Sequence, residues 1–273
     1  LMEAKQVANV SPLTAARQML EGDITYKYAG FSSYYDQLRA GIRHLVKERG
    51  ATKVCSMYIP SDFGLEVFEA TRDEAEALGI EYADETTHRP DEQEFVGSIQ
   101  KLRDSGCEIV SMGIAVRPTI IAIGTAKRLG WNDAAFIGSS AGFNTAIAKV
   151  PEGVTEGYYA AAGWVDFEDR LDVPEVAEWA KAYQDAQGEP AGTAAQLGYG
   201  AASTLVKALE AAGPDLTAES FRTAMEGLKY YDAVNDNEID VGEDHLGSSL
   251  VVISKVEGGK WVEVGRLDPT QSQ

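Results

Sequence analysis

The sequence predicts an α/β fold built on a parallel sheet, and three observations carry that prediction. Short apolar runs alternate with amphipathic stretches from Tyr34 to Val150. The runs begin near residues 53, 80, 108 and 134, about one βαβ unit (~30 residues) apart. Gly79, Gly106 and Gly130 mark where three of the amphipathic stretches end. Alternation of this kind implies parallel strands sandwiched between helices.

The elements follow in order. Leu38, Ile42 and Leu45 fall at i, i+4 and i+7, the pattern of a helix with one buried face. "KVCSMYI" reads as a strand, and Leu65, Phe68, Ala75 and Leu78 mark the next helix. "IEYA" is a strand, followed by a helix on Phe95, Ile99 and Leu102. "EIVSMGI" is a strand, with a helix from Pro118 to Gly130 behind it. "AAFIG" and a short helix around 143–149 close this part. The rhythm then changes. Residues 174–187 and 194–213 read as consecutive helices, the second with Leu197, Ala201, Leu205 and Ala208 as its apolar stripe. Thr217 caps a third. Two β runs around Gly258-Gly259 read as a hairpin. Three helices in succession need strands from elsewhere, and "VANVSPLTAARQM" reads as a strand end, a loop and a short helix. The expectation is a chain that begins partway through a domain whose helices return at 170–230.

The totals set limits. With 273 residues, 44% hydrophobic, the chain can bury one large core or two smaller ones. No apolar stretch approaches the ~18–20 residues of a membrane span. A net charge of −19, from 43 acids and 24 bases, repels nucleic acid and anionic membranes, so neither is expected as a partner. The chain opens at Leu1 without a basic-then-apolar leader, so a signal peptide is expected to be already absent. Cys55 and Cys107 read as two small buried hydrophobes; pairing requires their strands to be neighbours.

Ligands of open parallel sheets bind outside the carboxyl ends of the strands, here "PSDFG", "AVRPT" and "GSSAGFN". Pro118 suits a first helical position, which sets Arg117 at a helix N-terminus that is already positive. An anion resolves that conflict, and a guanidinium fork matches a carboxylate; the other reading is an ion pair to a surface acid. Ser139 and Ser140 either hydrogen-bond a ligand or cap the short helix that follows. "GSSAG" also fits the nucleophile elbow, with Ser140 as nucleophile and His245 as base, oriented by Asp215, Asp232 or Asp236. His245 lies in an acidic turn that reads as solvated, and no HGGG-like oxyanion loop is present. His88 reads as a solvated loop residue and not a metal ligand. No glycine-rich nucleotide motif occurs, so no cofactor and no metal are expected.

"NVSPLTAA", "KYAGFSSYYDQLRAGIRHLVKERGATKVCSMYIPSDFG", "FVGSIQKLRDSGCEIV", "FIGSSAGFN", "PEGVTEGYY" and "GEPAGTAAQLGYGAASTLVKALEAAG" together resemble the type I periplasmic solute-binding proteins of the branched-chain amino acid ABC transporter family. The resemblance implies two Rossmann-like lobes with parallel sheets, joined by three crossings and closing over a small ligand. Lobe 1 would comprise residues 1–30 and 163–246 and be incomplete; lobe 2 would comprise 31–162 and 247–273. Hinges are expected at Gly30–Ser33, at Ala161–Trp164 and within 232–250. Carried over by position, Leu13, Thr14 and Ala15 line the first lobe's side, Phe63 packs on the ligand, and Ala115, Val116 and Arg117 contribute from the loop after the third strand. The family's glutamate for a ligand ammonium reads Ser140 here, and an aromatic of the family reads Ala194. An unpaired buried ammonium is costly, so the departures favour a carboxylate-bearing solute, amino-acid-like or aromatic. A second reading of Phe63 is a staple-like contact at the helix start.

The expected function is a non-enzymatic, monomeric binding protein, periplasmic or lipid-anchored outside the cytoplasm, that hands a small organic solute to an ABC permease. A serine hydrolase acting through Ser140 and a cytosolic ligand-sensing regulator of the same fold are the alternatives.

Overall fold

The computed structural model describes residues 5–267; residues 1–4 and 268–273, assigned above to the two lobes, lie outside them. The chain divides into two compact units. Unit 1 takes the residues up to Ser33 and Gly163–Leu250, and unit 2 takes Tyr34–Ala162 and Val251–Leu267. Unit 1 opens with two short strands, β1 (Asn9–Val10) and β2 (Lys27–Tyr28), which pair in parallel.

Unit 2 then runs α1 (Tyr34–Arg49), β3 (Lys53–Tyr58), α2 (Asp62–Leu78), β4 (Glu81–Thr87), α3 (Val96–Asp104), β5 (Ile109–Gly113), α4 (Val116–Arg128), β6 (Ala135–Gly138), α5 (Thr145–Ala148) and β7 (Tyr159–Ala162). Gly79 ends α2 at φ 67°, the left-handed region that a residue without Cβ enters freely. Leu38, Ile42 and Leu45 of α1 are fully buried, as are Ile99 and Leu102 of α3. The face of α2 differs from the periodic reading. Leu65 is 42% exposed and Phe68 and Leu78 are half-buried, while Ala75 is buried as predicted, together with Val67, Ala70, Thr71 and Glu74. The physical reason is Glu74, whose carboxylate takes Arg39 Nε at 2.7 Å and Arg43 Nε at 2.7 Å from α1. A buried charge is tolerated when paired, and a pattern of apolar residues cannot reveal it.

Cys55 of β3 and Cys107, two residues ahead of β5, form a disulfide with Cα atoms 5.8 Å apart. β3 and β5 are adjacent, so the condition for pairing is met and the reading as separate buried hydrophobes is corrected.

Unit 1 continues with α6 (Pro174–Gln187), α7 (Thr193–Ala212), α8 (Ala218–Glu226) and the antiparallel pair β8 (Lys229–Asp232) and β9 (Asn237–Asp240). Thr217 caps α8 reciprocally with Ser220. In α7 the predicted stripe is corrected. Of Leu197, Ala201, Leu205 and Ala208, only Ala208 is buried, and the inward face is Thr193, Gln196, Gly200, Thr204 and Ala208. Partners explain it: Gln196 Nε2 donates to Val165 O at 2.7 Å, and Thr204 Oγ1 shares a 2.8 Å hydrogen bond with Tyr230 Oη. Gly200 packs so tightly that a Cβ there would lie 2.6 Å from Asn235 Nδ2.

The chain returns to unit 2 through β10 (Val251–Glu257) and β11 (Lys260–Leu267), joined at Gly258 and Gly259 with φ of 60° and 78°. Two positive φ angles in a two-residue loop suit the right-handed twist of a hairpin. The seven-stranded sheet of unit 2 has the order β11-β10-β7-β6-β5-β3-β4. It is parallel from β4 to β7 and antiparallel from β7 to β11. Its core joins Leu38, Ile42, Val54, Ile109, Ile137 and Ile253.

Candidate functional site at the strand ends

From β3 the chain adds β4 on one side and then β5, β6 and β7 on the other. The order therefore reverses between β3 and β5, and the carboxyl ends of those strands are where an open parallel sheet leaves a crevice. The segments at this point are 60–64 and 114–117.

After β3, Ser61 caps α2 through Gly64 N–H at 3.3 Å. Phe63 therefore stands in the first turn of α2, two residues after the cap. Gly64 is required by close approach, since a Cβ there would lie 1.9 Å from Ile59 O. The Phe63 ring is half-buried and meets Tyr34 edge-on at 4.9 Å.

After β5, Ala115 is the N-cap of α4, with Val116 and Arg117 as its first two residues. Pro118 is thus third and not first. A proline is tolerated there because first-turn N–H groups have no helical partner in any case. Ala115 and Arg117 are exposed and Val116 is half-buried. Among the described residues Arg117 makes no ion pair and no hydrogen bond. Two residues on, Thr119 is 1% exposed, and its hydroxyl has no partner among the described residues.

After β6, Ser139 is fully buried, its hydroxyl has no partner among the described residues, and Ser140 N–H donates to Gln37 Oε1 at 2.8 Å. Neither serine caps α5. That role belongs to Asn144, which accepts from Ala146 N–H at 2.8 Å. The glycines of "GSSAG" have a packing explanation. A Cβ at Gly138 or Gly142 would come within 2.1 or 2.3 Å of Tyr158 Oη. That hydroxyl is buried without a partner among the described residues, and burial raises its pKa well above the ordinary tyrosine value.

The histidine expectations are corrected. His245 is 3% exposed, not solvated: Nδ1 lies 2.8 Å from Ile24 O, Nε2 lies 3.4 Å from Glu226 Oε1, and the ring stacks on Tyr28 at 4.3 Å. Both nitrogens are therefore occupied within unit 1. His88 is likewise buried, 2.9 Å from Thr86 Oγ1 and against Phe95, and burial lowers its pKa. Among the described residues no cluster could hold a metal, and no helix is long and apolar enough to cross a membrane.

In unit 1, Leu13, Thr14 and Ala15 follow the end of β1. Leu13 is 80% exposed, and Thr14 Oγ1 accepts from Ala16 N–H at 3.3 Å. Ala194 is exposed in the first turn of α7. A cavity of about 690 Å³ lies at the opposite, amino end of the unit 2 sheet, lined by Arg49, Arg103, Glu108, Trp131 and Asp133 among others. It contains none of the predicted residues, and two of its arginines are committed to the carbonyls of Asp133 and Leu129. The strand ends remain the better candidate because, among the described residues, they combine an unpaired cation with buried hydroxyls that lack a partner. Sequence reasoning missed Gln37, Thr119 and Tyr158. Gln37 alone left a signal, a polar residue one turn from the buried Gly41 on α1.

A family model described as periplasmic binding protein matches residues 4–260. Among solved structures, a branched-chain amino acid ABC transporter from Thermus thermophilus with bound valine is 19% identical, with a TM-score of 0.83 over 97% of this chain and 72% of that one. A fatty acid ABC transporter substrate-binding protein from Thermomonospora curvata is 20% identical, with a TM-score of 0.85 over 98% and 70%. An ABC transporter solute-binding protein from R. palustris in complex with benzoate is 16% identical, with a TM-score of 0.76 over 89% and 65%. A comparison with curated proteins gave no match.

Proposed function

Because the chain belongs to the periplasmic binding protein family, we propose that it captures a small carboxylate-bearing solute outside the cytoplasm and presents it to an ABC permease. The observation that carries the carboxylate is Arg117. Its guanidinium is exposed and unpaired among the described residues, at the N-terminus of α4 beside the switch point of the sheet. A helix N-terminus and a guanidinium together favour an anion. The ligands named for the three neighbours, valine, a fatty acid and benzoate, differ in size and polarity but all bear a carboxylate. The buried hydroxyls of Ser139 and Thr119 supply further hydrogen-bonding capacity in the same unit. Ser140 in place of a carboxylate leaves a ligand ammonium without a counter-charge, which favours simple acids over zwitterions.

The Cys55–Cys107 disulfide independently supports an oxidising compartment. The two units act as lobes, the chain bends at its three crossings, and the closed form has the higher affinity. Binding at the strand ends is non-enzymatic in this reading: Ser140 opens a tight turn with ordinary φ, and no described histidine ring is bonded to it.

A thermal-shift panel of valine, benzoate and octanoate beside their neutral amides tests the reading. At least one acid should raise Tm clearly more than its amide does, since a bound ligand stabilises by about 2.7 kcal/mol at a hundredfold excess over Kd and by much less near Kd. Equal shifts from acid and amide would remove the carboxylate from the account.

A further inference from the structure

The chain leaves unit 1 after Ser33, re-enters at Gly163 and leaves again after Leu250. On the unit 1 side these three strands are bonded to one another through buried polar groups. Asn237, 2% exposed, donates from Nδ2 to Gly163 O at 2.6 Å and accepts from Ser248 Oγ at 2.8 Å. Ser248 Oγ in turn accepts from Leu250 N–H at 3.2 Å. Ser32, 1% exposed, donates to Leu250 O at 3.2 Å. Behind these, Ala29 N–H donates to His245 O at 3.0 Å, and Gly247 N–H donates to Ala29 O at 2.8 Å. The remaining side is closed by packing. A Cβ on Gly163 would lie 2.6 Å from Phe31 Cβ, and the Phe31 and Trp164 rings are 5.3 Å apart.

Independent strands would have no use for a buried asparagine whose two ends serve two different crossings. A buried carbonyl or amide left without its partner is expensive, so none of the three strands can shift alone without orphaning a group on another. We propose that Asn237 is a positioning residue that locks the three crossings into one joint, so that they open and bend together and not one at a time. The inference rests on the hinge reading above, but its mechanical content stands without any solute.

Native-state hydrogen exchange on the whole chain, without ligand, tests it. The reporters are the amides of Ala29, Val165 and Leu250, one near each crossing; Val165 N–H donates to Asn235 O at 3.1 Å. Asn237→Ala should speed exchange at all three by a common factor, on the order of tenfold for one lost buried hydrogen bond. Acceleration confined to Val165, or uniform acceleration of every amide in unit 1, would overturn the joint. Should Asn237→Ala fail to fold, Ser248→Ala carries the same test with Ala29 and Val165 as reporters, under the same two outcomes. A solute titration run in parallel separates the two ideas, since absence of binding leaves the exchange result intact.

Discussion

The two units bury opposite kinds of helix face. In unit 2, α1 turns Leu38, Ile42 and Leu45 into the sheet, all fully buried. In unit 1, α7 turns Thr193, Gln196, Gly200 and Thr204 inward and leaves Tyr199, Leu205, Val206 and Leu209 between 39% and 51% exposed. Unit 2 draws its order from a seven-stranded sheet and a contiguous apolar core. The described part of unit 1 draws more on hydrogen bonds, with Gln196 bridging to Val165 and Val234 and with Asp232 accepting from Val234 and Asn235 N–H. The difference teaches that an apolar stripe marks a buried face only where an apolar partner is available to cover it.

The comparison is most strongly tested by the disulfide, which belongs to unit 2. Its sequence separation is 52 residues, and a loop of that size stabilises by about 4 kcal/mol in the chain-entropy account. Urea unfolding of Cys55→Ala/Cys107→Ala should show that loss. Hydrogen exchange should place it in β3 and β5, and a loss confined to unit 1 amides would break the division. Next comes a matched pair of truncations. Leu38→Ala should cost about 3 kcal/mol, the usual cost of a buried leucine. Leu205→Ala should stay within about 0.5 kcal/mol, as for an exposed position. Equal costs would mean that Leu205 is covered in solution.

The smallest effect concerns pH. Burial depresses the His88 pKa below its ordinary value of about 6.5, while Glu92 opposes it. The sign follows: the stabilisation is fully present above about pH 6.5 and is lost as pH falls through the lower folded value. Tm measured from pH 7.5 to 5 should fall less steeply in His88→Gln. An identical slope would show that His88 does not titrate differently in the folded state.

Much of unit 2 was legible in the sequence because periodicity reports burial against a sheet. The helix boundaries at Pro174 and Gln187 and the hairpin at Gly258 also declared themselves through proline and glycine. What stayed hidden is polar and long-range. Glu74 reads as a surface acid until Arg39 and Arg43 are brought to it by the packing of α1 on α2. His245 reads as solvated until residues 24–28 fold over it. At the strand ends, the loops could be placed from the strand pattern alone. The hydroxyls of Thr119, Ser139 and Tyr158, unpartnered among the described residues, could not, because burial of a hydroxyl depends on neighbours distant in sequence.

Isothermal titration of Arg117→Ala against the parent chain, using whichever acid of the panel binds, is the most direct check on the site. Loss of a charge-assisted contact is worth about 2 kcal/mol. Affinity should therefore fall about thirtyfold, while the matching amide, which carries no charge for the guanidinium, should bind the two proteins alike. Unchanged affinity for the acid would move the ligand away from the β3–β5 switch point and contradict the account.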